Sequence, residues 1–262
     1  ISFTITMQPI SLCWLRRDLR LNDQAALYHA LQSGYPVIPV FIFDRHILYK
    51  LEDNNDRRVE FIYLTLQKLQ EQLVAIGCSL EVYYGTPETV FPVLLKKYAV
   101  KAVFTNHDYE PYALERDERI KTLLADQGTA FHTFKDHVLL EKDEVLKDDG
   151  KPYTVFTPYS RKWRSVLTAT HLQPYDTHPL FKHFFKQSPQ EIPSLASMGF
   201  TPAGLDFPPA AVEDELIRHY AEKRDIPSLP GTSRLGVHLR FGTISIRQLA
   251  AHAQSLSDTY LN

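Results

Sequence analysis

The sequence has few cysteines, no long apolar run and little net charge. Two cysteines among 262 residues, Cys13 and Cys78, are too few for a disulfide framework and favour a reducing compartment. The longest apolar run, residues 37–43, is far shorter than the roughly 20 residues that a membrane span needs, and no signal peptide is visible. The formal net charge is −2, so any nucleic-acid-binding surface must be local. We expect a soluble cytoplasmic protein without a membrane partner.

Two phosphate-binding motifs are absent as well. No GxGxxG follows the first predicted strand, and GxxxxGK[ST] occurs nowhere in the sequence. A ligand crevice in this protein therefore needs other residues than a dinucleotide fingerprint or a P-loop.

Five predicted strands alternate with helices over residues 1–135. The first is the apolar stretch that begins at Ser11 and ends in the charged residues 16–23, and four more follow at 36–44, 79–84, 101–106 and 129–134. Helices are predicted at 22–33, 59–76, 87–98 and 111–127, the first capped by Asn22 or Asp23 and the third by Thr86. This alternation predicts an α/β fold with a doubly wound, largely parallel, Rossmann-like sheet and ligands at the carboxyl ends of its strands.

Polar side chains follow several of the predicted strands. Because the carboxyl ends of parallel strands meet at one sheet edge, we expect these side chains to converge on a crevice. They are Arg16, Arg17, Asp44, Asn106, Asp108 and Glu110. An alternative is that they form only helix caps and solvated salt bridges.

The second half of the chain changes character. We assign residues 136–209 to an interdomain linker, whose part after residue 173 is rich in Pro, Ser and aromatic residues and is expected to lie across the first domain. Thr157 and Pro158 open a short basic helix, for which we favour Trp163 packed inward over contact with nucleic acid. Residues 210–262 are assigned to the start of a helical domain.

One stretch of this last region predicts an anion site. An amphipathic helix is expected at 210–222, and another helix is expected to start at Thr232 and Ser233 with Arg234 beside them. Hydroxyls and unpaired backbone N–H groups at a helix start suit a diphosphate, although a plain helix cap is the alternative. A final helix begins near Ser245, and its Leu256 and the following Leu261 have little to pack on.

Four motifs in order resemble the DNA photolyase/cryptochrome flavoproteins (deoxyribodipyrimidine photolyase-like). They are Trp14-Leu15-Arg16-Arg17-Asp18-Leu19-Arg20, then Tyr109-Glu110-Pro111 with Arg116-Asp117, then Phe156-Thr157-Pro158-Tyr159, and last the 220–245 block with its GTSRL core. The resemblance implies an amino-terminal α/β antenna domain, a linker and an all-helical domain that holds FAD.

The resemblance also assigns cofactor contacts. Tyr220, Thr232, Ser233, Arg234 and Leu235 match positions that contact FAD, and Gly236 stands where many members have Ser but keeps its backbone donor. The family transfers an electron from reduced FAD to a flipped-out cyclobutane pyrimidine dimer in damaged DNA, so the resemblance implies no acid or base residue and no metal.

An antenna chromophore is implied for the crevice, with Arg16, Asp44, Asn106, Asp108 and Glu110 as its candidate residues. Folate-binding members have Asn-Glu where this chain has Tyr112 and Ala113, which disfavours folate. The positions of Asp108 and Glu110 resemble those of deazaflavin-type sites, and FMN would suit the same crevice.

The resemblance further implies that the flavin domain continues beyond residue 262. We therefore expect an amino-terminal fragment that holds FAD weakly, does not repair DNA alone, and self-associates through Leu239, Phe241, Ile244 and Leu256. Repair of cyclobutane pyrimidine dimers is the predicted function of the parent protein. A cryptochrome photoreceptor and an isolated chromophore- or nucleotide-binding module are the alternatives.

Overall fold

A five-stranded parallel sheet forms the centre of the protein. The computed structural model describes residues 8–204 and 206–261, and within them the strands run in the order β3-β2-β1-β4-β5 with every neighbouring pair parallel. The strands are β1 (Pro9–Leu15), β2 (Val37–Asp44), β3 (Glu81–Gly85), β4 (Ala99–Asn106) and β5 (Ala130–Phe134). The predicted fold class is confirmed, and each strand lies within about two residues of its predicted bounds, the usual uncertainty of strand and helix ends.

Helices cover both faces of the sheet. They are α1 (Ala25–Leu31), α2 (Arg45–Leu48), α3 (Arg57–Ala75), α4 (Pro87–Lys97) and α5 (Pro111–Asp126). One core contains Cys13 and Leu15 of β1 with α1 and α3, and the other contains Leu12 and Trp14 with α4 and α5. Successive β1 residues thus enter opposite cores, which explains why this strand is apolar throughout.

The cap of α1 differs from the prediction. Gln24, not Asn22 or Asp23, is the N-cap residue, and its side chain accepts a hydrogen bond from the Leu27 backbone N–H. Asp23 instead has a left-handed backbone (φ 47°), and its carboxylate is fully buried. The predicted Thr86 cap and first-turn Pro87 of α4 are confirmed.

The segment after the sheet packs against the sheet, as predicted. Its side chains Phe184, Leu195, Met198 and Phe200 are buried in the core that contains α1 and α3. The basic helix is α6 (Phe156–Val166), and its Trp163 is partly buried against Leu139, Leu172 and Ala250. Trp163 therefore packs inward. The proposed boundaries at residues 135 and 209 stay a prediction.

The carboxyl-terminal region contains five short helices among the described residues. They are α7 (Asp214–Arg218), α8 (Tyr220–Lys223), α9 (Gly236–Phe241), α10 (Ile246–Leu256) and α11 (Asp258–Leu261). The single helix predicted at 210–222 is wrong in extent, because it starts later and is interrupted at His219 (φ −96°, ψ 11°). Leu261 packs against the Trp163 cluster, so the expectation that it has little to pack on is wrong. Phe241 is buried within the chain, so it does not expose the apolar surface that the self-association prediction assigned to it.

The length and composition of the helices decide whether any of them could span a membrane. Among the described residues, no helix combines the length and the apolar character needed to cross a bilayer.

Candidate functional site

A cavity lies at the carboxyl ends of β1 and β2, next to the start of α5. Its volume is about 200 Å³. Apolar side chains from both strands and from α2 and α3 form much of its wall, among them Trp14, Phe41, Phe43, Leu48, Val59 and Ile62. Five arginines and three carboxylates also line it. The predicted crevice therefore exists, and three of its arginines pair with carboxylates outside the lining, Arg16 and Arg116 with Asp117 and Arg58 with Asp56.

Two arginines hold Trp14 at the cavity wall. The guanidinium carbons of Arg16 and Arg116 each lie 4.9 Å from the centre of the Trp14 ring. Both arginines pair with the carboxylate of Asp117, Arg16 at 2.5 Å and Arg116 at 2.9 Å. Burial and the nearby charge of Arg16 lower the pKa of Arg116. Because one carboxylate serves two guanidinium groups, this part of the wall is electropositive.

Asp44 lies in the cavity wall and also caps a helix. Its Oδ1 accepts a hydrogen bond from the His46 backbone N–H at 3.0 Å, and its Oδ2 accepts one from the Tyr112 hydroxyl at 2.5 Å. Burial and the Asp44 carboxylate raise the pKa of Tyr112, so the phenol stays protonated. Asp44 is thus a cap, as the alternative interpretation supposed, but its capping also fixes the position of Tyr112 in the cavity wall.

Asp108 and Glu110 lie at the cavity mouth with Arg17. The guanidinium of Arg17 is 2.7 Å from the Glu110 carboxylate and 3.5 Å from that of Asp108. Arg240 of α9 approaches from the other side, with its Nη2 2.9 Å from the same Glu110 oxygen. Arg240 was not predicted from the sequence, because only the docking of α9 brings it to this edge.

Asn106 contacts the candidate Arg16, whose guanidinium donates to its carbonyl oxygen, but lies behind the cavity wall. It is absent from the cavity lining, and its side-chain amide donates to Asp18 at 2.6 Å. Its Oδ1 accepts a hydrogen bond from the Ala26 backbone N–H at 3.0 Å. Asn106 thus joins β4 to α1 within a buried network next to the cavity.

The candidate anion site lies in the loop before α9. The N-cap of α9 is Leu235, so the helix starts later than the prediction of Thr232 and Ser233. The cause is the left-handed backbone of Arg234 (φ 54°), which a helix cannot include. Among the described residues, the side chains of Thr232, Ser233 and Arg234 have no hydrogen-bond or ion-pair partner. Gly236 is exposed at the first position of the helix.

The same loop packs against the helix that carries Tyr220. Gly231 lies so close to the end of α8 that a Cβ there would come 2.5 Å from the Lys223 carbonyl oxygen. The Tyr220 ring packs edge-on against Tyr260 of α11, with 5.0 Å between ring centres. The structure therefore brings α8 and the 231–235 loop together.

Comparison with known proteins agrees with this geometry. Residues 11–179 match the sequence model for DNA photolyase. The chain belongs to the DNA photolyase family. It is 33% identical over 96% of its length to a deoxyribodipyrimidine photo-lyase of Synechococcus sp., and 31% identical over 95% to one of Halobacterium salinarum. It spans 56% of each of these photolyases. It also covers 90% of an uncharacterized 31.6 kDa protein in the atpI 5′ region of another Synechococcus strain, at 36% identity.

Solved photolyase structures share the fold. A bacterial class III photolyase from Agrobacterium tumefaciens superimposes over the whole chain with a TM-score of 0.79 at 23% identity, and the chain covers 57% of it. An archaeal photolyase from Sulfolobus tokodaii, solved with two FAD molecules, superimposes over 96% of the chain with a TM-score of 0.70 at 25% identity. The chain covers 56% of that structure.

In this photolyase-family chain, the loop after β1 docks α9 onto the sheet. The Leu19 backbone N–H donates to the Phe241 carbonyl oxygen, and the Arg20 guanidinium donates to the Gly242 carbonyl oxygen, both at 3.0 Å. Gly242 has φ 61° and packs against the backbone of Arg17. This docking places Arg240 and Phe241 in the cavity wall.

A buried ion-pair cluster continues the contact to α10. Arg247 donates to Asp23 at 2.8 Å and to Asp136 at 2.7 Å, and Arg20 donates to Asp136 at 2.7 Å. Ser245 donates to Asp23 as well. Burial alone would raise the pKa of Asp136, but the charges of Arg20 and Arg247 outweigh it and hold that pKa below its usual value. Two carboxylates and two guanidinium groups thus join the first strand loop to the last helices.

Proposed function

We propose that the parent protein is a light-driven photolyase that repairs cyclobutane pyrimidine dimers in damaged DNA. The support is the family membership together with relatives named deoxyribodipyrimidine photo-lyase at 31–33% identity over 95–96% of the chain. In such a reaction reduced FAD supplies the electron that opens the dimer. The side chains of this chain would bind and orient cofactors, and none is required as an acid or base.

Thr232, Ser233 and Arg234 fit the phosphates of FAD. Two hydroxyls and a guanidinium without partners among the described residues supply hydrogen-bond donors and positive charge. Tyr220, Leu235 and Gly236 would complete the contacts along α8 and the start of α9. Thr232 and Arg234 are exposed, so these residues form one open wall, and we expect this chain alone to hold FAD weakly.

The cavity at the sheet edge is proposed to hold the antenna chromophore. The observation that carries this assignment is an apolar, aromatic space with Trp14 and several guanidinium groups in its wall, which suits a flat ring system. Arg16, Asp44, Asp108 and Glu110 lie in its lining, whereas Asn106 would act by holding Arg16, which donates to its carbonyl oxygen. A flavin or deazaflavin suits this lining, and the Sulfolobus photolyase with two FAD molecules offers a precedent for a second flavin.

An illumination assay on the full-length protein tests the repair activity. We expect a dimer-containing oligonucleotide to be restored in blue light with reduced FAD and to stay unchanged in the dark. Lack of light-dependent repair would contradict the proposal and leave the cryptochrome alternative. For the chain alone, Arg234→Gln should retain as much flavin as the wild type after FAD soaking and gel filtration, because the wall at Thr232, Ser233 and Arg234 holds FAD weakly and residue 234 does not touch the antenna cavity. Clearly greater retention by the wild type would contradict the expected weak binding.

Two further parts of the proposal concern partners and location. Leu239 is 37% exposed on α9 and remains the best candidate for self-association, since Phe241 is buried. Both cysteines are free and buried, which agrees with a cytoplasmic location. Sedimentation of the chain at several concentrations tests the first point.

A further inference from the structure

A salt bridge separates two adjoining spaces at the sheet edge. The cavity of about 200 Å³ and a more open groove of about 340 Å³ share Arg17, Asp108, Glu110 and Arg240 in their linings. A ligand whose ring fills the cavity would therefore extend its tail over these four side chains into the groove.

Glu110 is held between two guanidinium groups from distant parts of the chain. One of its oxygens lies 2.7 Å from Arg17, in the loop after β1, and 2.9 Å from Arg240, on α9. The hydrogen bond from Arg17 is the main cause that lowers the pKa of Glu110, so the carboxylate is charged. Yet the Glu110 side chain is 51% exposed and stands at the N-terminal end of α5, so it can turn into solvent without disturbing the core.

We propose that Glu110 occupies the position of a ligand phosphate, and that Arg17 and Arg240 select an antenna flavin whose tail ends in phosphate. This inference rests on the proposed chromophore cavity. A phosphate carries more negative charge than a carboxylate and binds the planar fork of arginine through paired hydrogen bonds, so it displaces the exposed Glu110. A flavin or deazaflavin without a phosphate cannot displace Glu110 from the two arginines.

Arg240 thereby becomes a specificity-determining residue from outside the α/β domain. It reaches the cavity mouth only because Gly242 and Phe241 dock α9 on the loop after β1. Selection of the phosphate consequently depends on residues about 220 positions apart in the sequence.

Titrations of the chain with FMN and riboflavin, which differ only in the phosphate, test the inference. The readout is flavin fluorescence, which Trp14 in the lining is expected to quench. We expect FMN to bind at least about tenfold more tightly than riboflavin, as a charge-assisted contact warrants. Arg240→Gln should weaken FMN binding more than riboflavin binding and so remove most of that difference. Glu110→Gln should widen the difference, because it frees both guanidinium groups for the phosphate of FMN.

Arg119→Gln is the matched control, because Arg119 is an exposed arginine of α5 that pairs with Glu88 outside the cavity. It should change neither affinity. Equal affinities of the wild type for FMN and riboflavin, or equal loss of both in Arg240→Gln, would overturn phosphate selection while leaving the chromophore cavity in place. Failure of both flavins to bind would overturn the inference together with the flavin assignment of the cavity.

Discussion

Replacement of Gly242 by alanine should separate α9 from the sheet. A Cβ at this position would lie 2.1 Å from the Arg17 carbonyl oxygen and 2.6 Å from the Asp18 Cα, both of which are backbone atoms. No side-chain rotation can relieve these contacts, so α9 must move away from the loop after β1. The left-handed backbone of Gly242 adds strain of its own for any residue with a Cβ.

The cost can be worked out from the contacts that this movement breaks. The left-handed conformation costs an alanine about 1–2 kcal/mol. The hydrogen bond from Leu19 to the Phe241 carbonyl is worth about 1 kcal/mol, and the charged one from Arg20 to the Gly242 carbonyl about 1.5–3 kcal/mol. Gly242→Ala should therefore lower the free energy of unfolding by about 3.5–6 kcal/mol.

Gly128→Ala is the control that isolates the backbone strain. Gly128 has a similar φ of 67°, but a Cβ there would meet no atom within 4 Å. This variant should lower the free energy of unfolding by only about 1–2 kcal/mol. Urea unfolding of both variants and the wild type gives the comparison. Equal losses in the two variants would refute the close packing of Gly242 on Arg17.

Three further predictions concern buried charge and buried thiols. Arg247→Met leaves two buried carboxylates without their shared partner and should cost about 3–5 kcal/mol in urea unfolding, whereas the exposed Arg119→Met should cost under about 1 kcal/mol. Burial raises the pKa of Asp136, but the charges of Arg20 and Arg247 lower it by more, so the pKa in the folded protein lies below its usual value. Its stabilisation is thus full above the unfolded pKa of about 4 and lost as the pH falls through the lower folded value. The difference in unfolding free energy between wild type and Asp136→Asn should shrink below about pH 4, and a constant difference would contradict the ion pairing. Burial also raises the pKa values of Cys13 and Cys78, so a thiol reagent should label neither in the native protein and both in urea, and prompt native labelling would show exposure.

The sheet could be predicted because its signals are local. Both faces of β1 are covered, so its residues are apolar without alternation, and the stripe from Val59 to Leu73 marks the buried side of α3. The cap of α4 was readable for the same reason, since Thr86 and the residues it bonds lie within one turn. Each of these features is decided by residues close together in the chain.

The features that could not be predicted depend on contacts between distant residues or on interruptions that no local sequence pattern encodes. Asp23 is a residue type that often caps helices and stands where a cap is expected, but its carboxylate accepts a hydrogen bond from Arg247, 224 residues away. Gln24 is the N-cap residue instead. Arg240 looks like a solvated helix residue until α9 docks. The helix predicted at 210–222 failed because amphipathic spacing does not reveal an interruption at His219, whose ring lies between Glu215 and Glu222.

The three arginines after β1 show why this segment is so dense in charge. Arg16 binds Asp117 and fixes the cavity wall, Arg17 binds Glu110 at the mouth, and Arg20 binds Asp136 and the carbonyl of the α9 end. Each guanidinium joins the same loop to a different element, and most of these contacts use the geometry of the planar fork, which a lysine cannot reproduce. Since Arg240 enters the cavity wall only when α9 is docked, the shape of the cavity depends on the whole of this loop and not on the sheet alone.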